Sequence, residues 1–325
     1  MAQRLILAYQ RPIARFNRPA GLRRYTSPVS SSRLADEVGR FRRALQDPRS
    51  DAYRALGRRL YDWLIRPYEK DLEKSGVSTL VFVPDGPLRT VPMSALFDGE
   101  RFLADRYALA VTPSLALVDP QPLDRLGMEL LLGGVSESVD GFPALAMVPA
   151  ELEAVSNRYG GKVLLDDDFG LRQVEQQIRE TQPTVVHIAS HAVFTGDPET
   201  SFVLLHDDKL TMERLSGVVG VTKFRERPLE LLVLSACETA AGDERAGLGL
   251  AGVAIRAGAR SAVGSLWPIS DEAAFRLVDS FYEALGDPKA SKAQALQTAQ
   301  AKLRADPRFA HPYFWSPFLI INNWL

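Results

Sequence analysis

The chain has 325 residues, 46% hydrophobic and 24% charged, which is the balance of an ordinary soluble globular protein. That length allows one large α/β domain or two smaller ones. Its single cysteine, Cys237, excludes an internal disulfide and points to a reducing compartment. No apolar stretch approaches the ~20 residues that span a bilayer, and the start lacks a secretory leader pattern, so the expected location is cytoplasmic.

The net charge of −1 hides an asymmetry, because residues 1–70 carry 16 Lys+Arg against 6 Asp+Glu. The first acid is Asp36. Such an Arg-rich, acid-poor start has the composition of an organellar transit peptide, but Pro12 and Pro19 interrupt the amphipathic helix that reading requires. A basic arm can dock on nucleic acid or an acidic partner. Few aromatics interleave with the arginines, which favours a solvated basic face, and nucleic acid is not assigned as a partner.

After a short β-like opening, "RLADEVGRFRRALQ" and "DAYRALGRRLYDWLIRPYEKDLE" read as helices. In the second, Tyr53, Leu56, Leu60 and Leu64 recur at three and four residues. "TLVFVPDGPL" changes the rhythm to a short β-branched run ended by Pro84. Further strands are expected in "YALAVTPS", "ELLLGGVS", "GKVLLDDD", "TVVHIASH", "SFVLLHDD", "LELLVLSAC", "RSAVGSLWP" and "PFLIINNW". Several are continuously apolar and alternate with helical patterns such as "PAELEAVSNRY" and "GLRQVEQQIRE". That is how a parallel sheet covered on both faces reads. Two more helices, "SDEAAFRLVDSFYEALG" and "SKAQALQTAQAKLRAD", follow. The expected fold class is an α/β/α sandwich around a mostly parallel central sheet.

In such sheets ligands bind beyond the carboxyl ends of the strands. Two expected strands end in reactive residues: "TVVHIAS" at His191 and "LELLVLSA" at Cys237. Adjacent parallel strands would bring a thiol nucleophile and an imidazole base together at one edge. Taken singly, each reads as a buried core residue. Taken as a pair at two strand ends, they read as a catalytic dyad. "GLGLAG", Gly247 to Gly252, matches a dinucleotide fingerprint by letters, but a polar loop separates it from the preceding strand. It is expected to pack a helix closely on the sheet. His187 and His191 have a helical metal-binding spacing, yet they lie in a β-branched run with no third ligand. No metal or cofactor is therefore assigned. His187 is expected to pack inward, and His206 and His311 stand isolated.

The stretches "VVHIASHAVF", "LLVLSACETAAG", "GLAGVAIRAGARSAVGSLWPISDEA", "FYEAL" and "HPYFWSPFLI" together resemble CHAT-domain proteins, relatives of caspases and separase. The resemblance begins near "LVFVPDGPLRTVPMSALF" and runs to the C-terminus. It implies a caspase-like three-layer sandwich with a basic N-terminal supporting segment (1–79), a non-catalytic half (80–160) and a catalytic half (161–325). It also implies a cysteine endopeptidase in which Cys237 attacks the scissile carbonyl and His191 acts as base, then as acid. The backbone N–H groups of Ala192 and Cys237 would hold the oxyanion. The family usually has glycine where this chain has Ala192; a left-handed backbone there would strain alanine by about 1 kcal/mol.

For specificity, some caspase-like enzymes carry an acid at the place held here by Ser235. Separase has a stretch similar to Trp267–Asp271 and selects Arg, so the resemblance implies a preference for Arg or Lys before the cut, with Asp271, Ser235 and Trp267 as substrate-binding residues. Ser270 and Asp271 equally suit the start of a helix. The implied partners are a protein substrate and a regulatory protein of tetratricopeptide-repeat or sensor type, with no membrane. The alternative is a non-catalytic CHAT scaffold, against which the intact His191/Cys237 pair argues.

Overall fold

The computed structural model describes residues 6–10, 25–194, 199–211, 213–215, 217, 228–239 and 258–325. Most of the Arg-rich start and the whole of "GLGLAG" lie outside the described residues. After β1 (Ile6–Gln10), α1 (Ser31–Gln46) begins where Ser30 Oγ accepts the Arg33 amide. On α2 (Ala52–Leu64), Tyr53, Leu56, Leu60 and Leu64 are all buried, as their spacing requires. The helix expected to continue to Glu73 breaks instead. A 3-10 turn at Arg66–Tyr68 separates α2 from α3 (Glu69–Ser75). Pro67 is the cause, since it has no amide hydrogen and its ring clashes with the preceding turn.

β2 (Thr79–Val83) and β3 (Ala108–Val111) come next, followed by β4 (Leu130–Gly134) and α4 (Val148–Tyr159). β5 (Lys162–Leu165) leads to α5 (Leu171–Thr181) and β6 (Val185–Phe194). A small hairpin, β7 (Phe202–Leu204) and β8 (Lys209–Thr211), precedes β9 (Leu231–Thr239) and β10 (Ser261–Ser265). The chain then forms α6 (Asp271–Leu285), α7 (Lys292–Ala305), a short α8 (Pro312–Trp315) and β11 (Phe318–Asn322).

These strands make one sheet in the order β1-β2-β3-β11-β10-β9-β6-β4-β5, with β7 on β6 and β8 on β7. The neighbours β2/β3, β3/β11, β10/β9, β9/β6, β6/β4 and β4/β5 are parallel. Among the described residues, β1, β7, β8 and the β10/β11 pair supply the antiparallel contacts. "SFVLLHDD", expected as a sheet strand of its own, contributes only the three residues of β7, folded back on β6. Strand alternation explains the layers. Val185, Leu231, Val233 and Val263 face the core shared with α4, α6 and α7. Their neighbours Val186, Leu232, Leu234 and Ala262 face Phe169 and the α5 residues Val174 and Ile178. Each fully buried Val or Leu contributes about 1.5–3 kcal/mol of transfer free energy, and two faces of them hold a three-layer α/β/α sandwich together.

The topology interleaves distant stretches of chain. Residues 80–160 supply β2 and β3 on one side of β11, and β4 on the far side of β6. No helix among the described residues is long and apolar enough to cross a membrane.

Candidate active site

β6 and β9 are hydrogen-bonded parallel neighbours, so the topology brings the two reactive positions to one sheet edge. His191 lies opposite Ala236, and Ala192 opposite Cys237. Both strands run on past these residues, to Phe194 and Thr239, where a strand end was expected. The register slips between Ile188 and His191, with one extra residue on β6. Such a bulge bends the strand and re-aims side chains. The side chain of Cys237 lies outside the described residues.

The His191 ring is fixed by a main-chain partner. Its Nε2 lies 2.9 Å from the carbonyl oxygen of Pro143. A carbonyl only accepts, so Nε2 carries the hydrogen and Nδ1 of the neutral ring is left as the acceptor. The Phe142 ring leans on the imidazole with centroids 5.1 Å apart, and Phe202 meets Phe142 edge-on at 6.4 Å. Phe142 and Pro143 belong to the loop joining β4 to α4. That loop leaves the sheet at the carboxyl end of a parallel strand, the place where ligand sites form.

His191 borders a cleft of about 240 Å³ whose walls include Phe142, Glu151, Ser235, Ser265 and Asp271. Ser235 and Ser265 are almost wholly buried at its floor. Asp271 holds two places at once. It is the first residue of α6, behind the Ser270 N-cap, and its carboxylate also reaches the cleft. Its Oδ2 accepts the Met147 amide at 2.6 Å. Burial pushes the Asp271 carboxyl above the usual range; the Met147 amide opposes this, Glu151 adds to it, and His191 pulls it back. Trp267 is a correction. It is 2% exposed within the core, its indole N–H is given to the Tyr313 carbonyl at 3.0 Å, and it does not line the cleft. The bulk of its ring is accommodated by apolar packing.

Ala192 is buried in extended strand, between Val203 of β7 and Cys237 of β9. It is not among the residues with a positive φ, so alanine in place of glycine carries no left-handed strain there. His187 is fully buried and turned to other partners: Nε2 lies 2.9 Å from Glu151 Oε1, and Nδ1 lies 3.4 Å from the Tyr282 hydroxyl. Among the described residues it shares no hydrogen-bond partner with His191. His206, isolated in sequence, sits between Asp167 at 3.2 Å and Glu137 at 3.5 Å. His311 caps α8 by accepting the Tyr313 amide.

The sequence reading missed Phe142, Pro143, Glu151 and Ser265. Only the first two had a signal, the polar Gly/Ser/Pro-rich run "GGVSESVDGFP" directly after an apolar strand.

A family model described as the CHAT domain matches residues 54–323. Human tetratricopeptide repeat protein 28 is 24% identical over 323 residues, covering 82% of this chain. The chain spans only 13% of the length of that relative. The crystal structure of the Arg-specific cysteine proteinase gingipain R is similar with a TM-score of 0.46 at 10% identity, covering 67% of this chain and 55% of that one. The family match takes in all the strands from β2 to β11 together with the cleft, and this chain belongs to the CHAT domain family.

Proposed function

We propose that the protein is a cysteine endopeptidase with a His191/Cys237 dyad. The observation that carries this reading is the Pro143 carbonyl on His191 Nε2, which leaves Nδ1 as the base on the strand beside the one bearing Cys237. Nδ1 takes the thiol proton, since a free thiol with a pKa near 8.5 supplies little thiolate unaided. The thiolate attacks the scissile carbonyl, and the oxyanion is held by the Ala192 and Cys237 amides; losing such a donor typically costs about 10²–10³ in rate. The imidazolium, still held through Nε2–H, then protonates the leaving amine. Water, deprotonated by the same ring, releases the acyl group.

Asp271 and Ser235 form the receptor for the residue before the cut, an Arg or Lys. The free side of the Asp271 carboxylate pairs with the cation while Oδ2 keeps the Met147 amide. In this scheme residues 161–325 carry the dyad, residues 80–160 support it from both sides of the sheet, and residues 1–79 buttress the helical layer. The substrate is a cytoplasmic protein. A tetratricopeptide-repeat or sensor-type partner controls access, a reading to which the likeness to tetratricopeptide repeat protein 28 lends a direction.

The test is a fluorogenic peptide library together with a peptidyl alkylating probe ending in Arg. Expected are cleavage after Arg or Lys and a probe adduct at Cys237. Both should vanish in Cys237→Ala and fall by several orders of magnitude in His191→Ala, as groups acting as a unit do. A Cys237→Ala protein that cleaves like wild type overturns the mechanism. A wild-type chain that takes no probe and cuts no peptide supports the scaffold reading instead.

A further inference from the structure

The group that fixes the His191 ring is itself on a loop, residues 136–147, and a carbonyl on a free loop would orient nothing. The loop is held at both ends by carboxylates from other elements. At its far end Asp271 takes the Met147 amide. At its near end Asp166, just past the end of β5, takes three groups. Its Oδ1 accepts the Ser136 amide at 2.6 Å and the Glu137 amide at 3.4 Å, and its Oδ2 accepts the Ser136 hydroxyl at 2.6 Å.

From Ser136 the connection to the imidazole is short. The Ser136 carbonyl accepts the Leu145 amide at 2.9 Å, and Leu145 is buried. Pro143, two residues before it, offers its carbonyl to His191. Between these points the loop is closed on itself by the Phe142 amide on the Val139 carbonyl and by the Ser138 hydroxyl on the Phe142 carbonyl. Two hydrogen-bonded steps, Asp166 to Ser136 and Ser136 to Leu145, and the short backbone from Leu145 to Pro143 therefore connect the Asp166 carboxylate to the carbonyl on His191 Nε2.

Asp166 also has a left-handed backbone, φ 49°. Aspartate tolerates that region, but glycine enters it without cost. What the side chain adds over glycine at this place is the grip on the start of the loop.

We infer that Asp166 is a positioning residue for His191: by clamping Ser136 it holds the Pro143 carbonyl where it keeps the hydrogen on Nε2 and the acceptor on Nδ1. This rests on reading His191 as the base, and the experiment separates the two claims. In full-length protein labelled with ¹⁵N-histidine, the four imidazoles are followed by long-range ¹H–¹⁵N NMR, and His191 is assigned by its loss in His191→Gln. Asp166→Gly keeps the backbone conformation and removes the clamp. Its expected effect is movement of the two His191 ring nitrogen shifts toward each other, as the tautomers mix. On the best library peptide kcat should fall about 10–100-fold, the scale of a misplaced catalytic group, with KM within about twofold. Asp166→Asn, whose amide oxygen still accepts from Ser136, should recover a large part of both effects.

Unchanged His191 ring shifts in Asp166→Gly overturn the inference, as does a loss confined to KM. If the wild type cleaves nothing, the peptidase reading fails, and the ring shifts alone decide the clamp. If Asp166→Gly does not fold, Ser136→Ala, which deletes only the hydroxyl contact, should move the shifts in the same direction by less. Unmoved shifts in that variant overturn the inference equally.

Discussion

Asp271 gives one carboxylate oxygen to the Met147 amide, 2.6 Å away, while the same side chain borders the cleft beside His191. The position is therefore both a helix start and part of the candidate site. Burial raises its proton affinity above the usual carboxylate range. As pH falls, Asp271 is neutralised earlier than an ordinary aspartate. For a peptide ending in Arg, KM is expected to rise on going from pH 7 to pH 5. In Asp271→Asn, KM should be high throughout and flat over that interval. A wild-type advantage for Arg over Leu that persists undiminished in Asp271→Asn would remove Asp271 from the receptor.

Lys292 presents a different electrostatic case. It is the first residue of α7 and fully buried, and its Nζ has no hydrogen-bond partner among the described residues. Burial pushes its pKa down to about 8; Glu230 opposes this, and Arg125 and Arg260 reinforce it. Between about pH 8 and 10.5 the unfolded chain binds a proton that the folded chain releases, so stability rises with pH across that window. Lys292→Met should flatten this rise and stabilise the protein at pH 7 by about 1–3 kcal/mol, the scale of the proton-affinity difference. Urea unfolding of both proteins at pH 7, 8.5 and 10 measures it. Parallel curves would show that the buried amine costs nothing.

His311 should set an acid limit. Its Nδ1 accepts the Tyr313 amide at 3.0 Å, and its Nε2 donates to the Ser50 carbonyl at 3.1 Å. Only the neutral ring does both. Burial holds its pKa below the ordinary value, with the Ser50 carbonyl, Asp51 and Asp47 opposing. Below the ordinary histidine pKa of about 6.5 the unfolded chain takes up a proton that the fold resists, so stability falls with pH there. His311→Asn retains a capping side chain without the titration and should lose this part of the dependence. Denaturation midpoints at pH 7 and 5 decide, and equal drops in both proteins would exclude His311 as the cause.

Gly134 closes β4 against its neighbours. A Cβ there would meet Val148 Cγ1 at 2.6 Å and the Ala189 carbonyl oxygen at 2.8 Å. The second contact is backbone and cannot swing away. Gly134→Ala is expected to cost about 1–3 kcal/mol, the range for overpacking. Gly217→Ala, whose Cβ would meet nothing within 4 Å among the described residues, serves as the control and should be neutral or slightly stabilising. Thermal melts of the two variants compare them directly; similar melting points would mean that β4 shifts without penalty.

Much of the framework was legible because burial leaves a local mark. The runs "ELLLGG", "VVHIAS" and "LELLVLS" are apolar on both faces because β4, β6 and β9 have cores on both sides. The Tyr53–Leu64 spacing likewise located a helix. The break at Pro67 could have been foreseen from proline chemistry alone. What was not legible is pairing between distant stretches. Nothing local says that "SFVLLHDD" folds back on β6, or that "PFLIINNW" enters the sheet between β3 and β10. The site divides along the same line. His191 and the Cys237 backbone position announced themselves at strands that are neighbours, and the Asp271 carboxylate did reach the cleft. The loop that orients His191 did not announce itself. Pro143 and His191 are 48 residues apart, and the Asp166–Ser136 contact spans 30. Trp267 misled because an aromatic near a cleft in sequence is a core residue in space.

The place of β11 has a consequence for how the protein comes into being. β11 (Phe318–Asn322) is sandwiched between β3 and β10, so among the described strands it is what joins the two sides of the sheet. A ribosome delivers β3 more than 200 residues before its neighbour β11. Until then the β3 edge stays open, and β10, on the cleft's flank, is paired on its β9 side alone. Long-range closure of this kind is slow and leaves unpaired edges exposed. A nascent chain accordingly reaches its full complement of cleft residues, Asp271 included, before the sheet beneath them is complete.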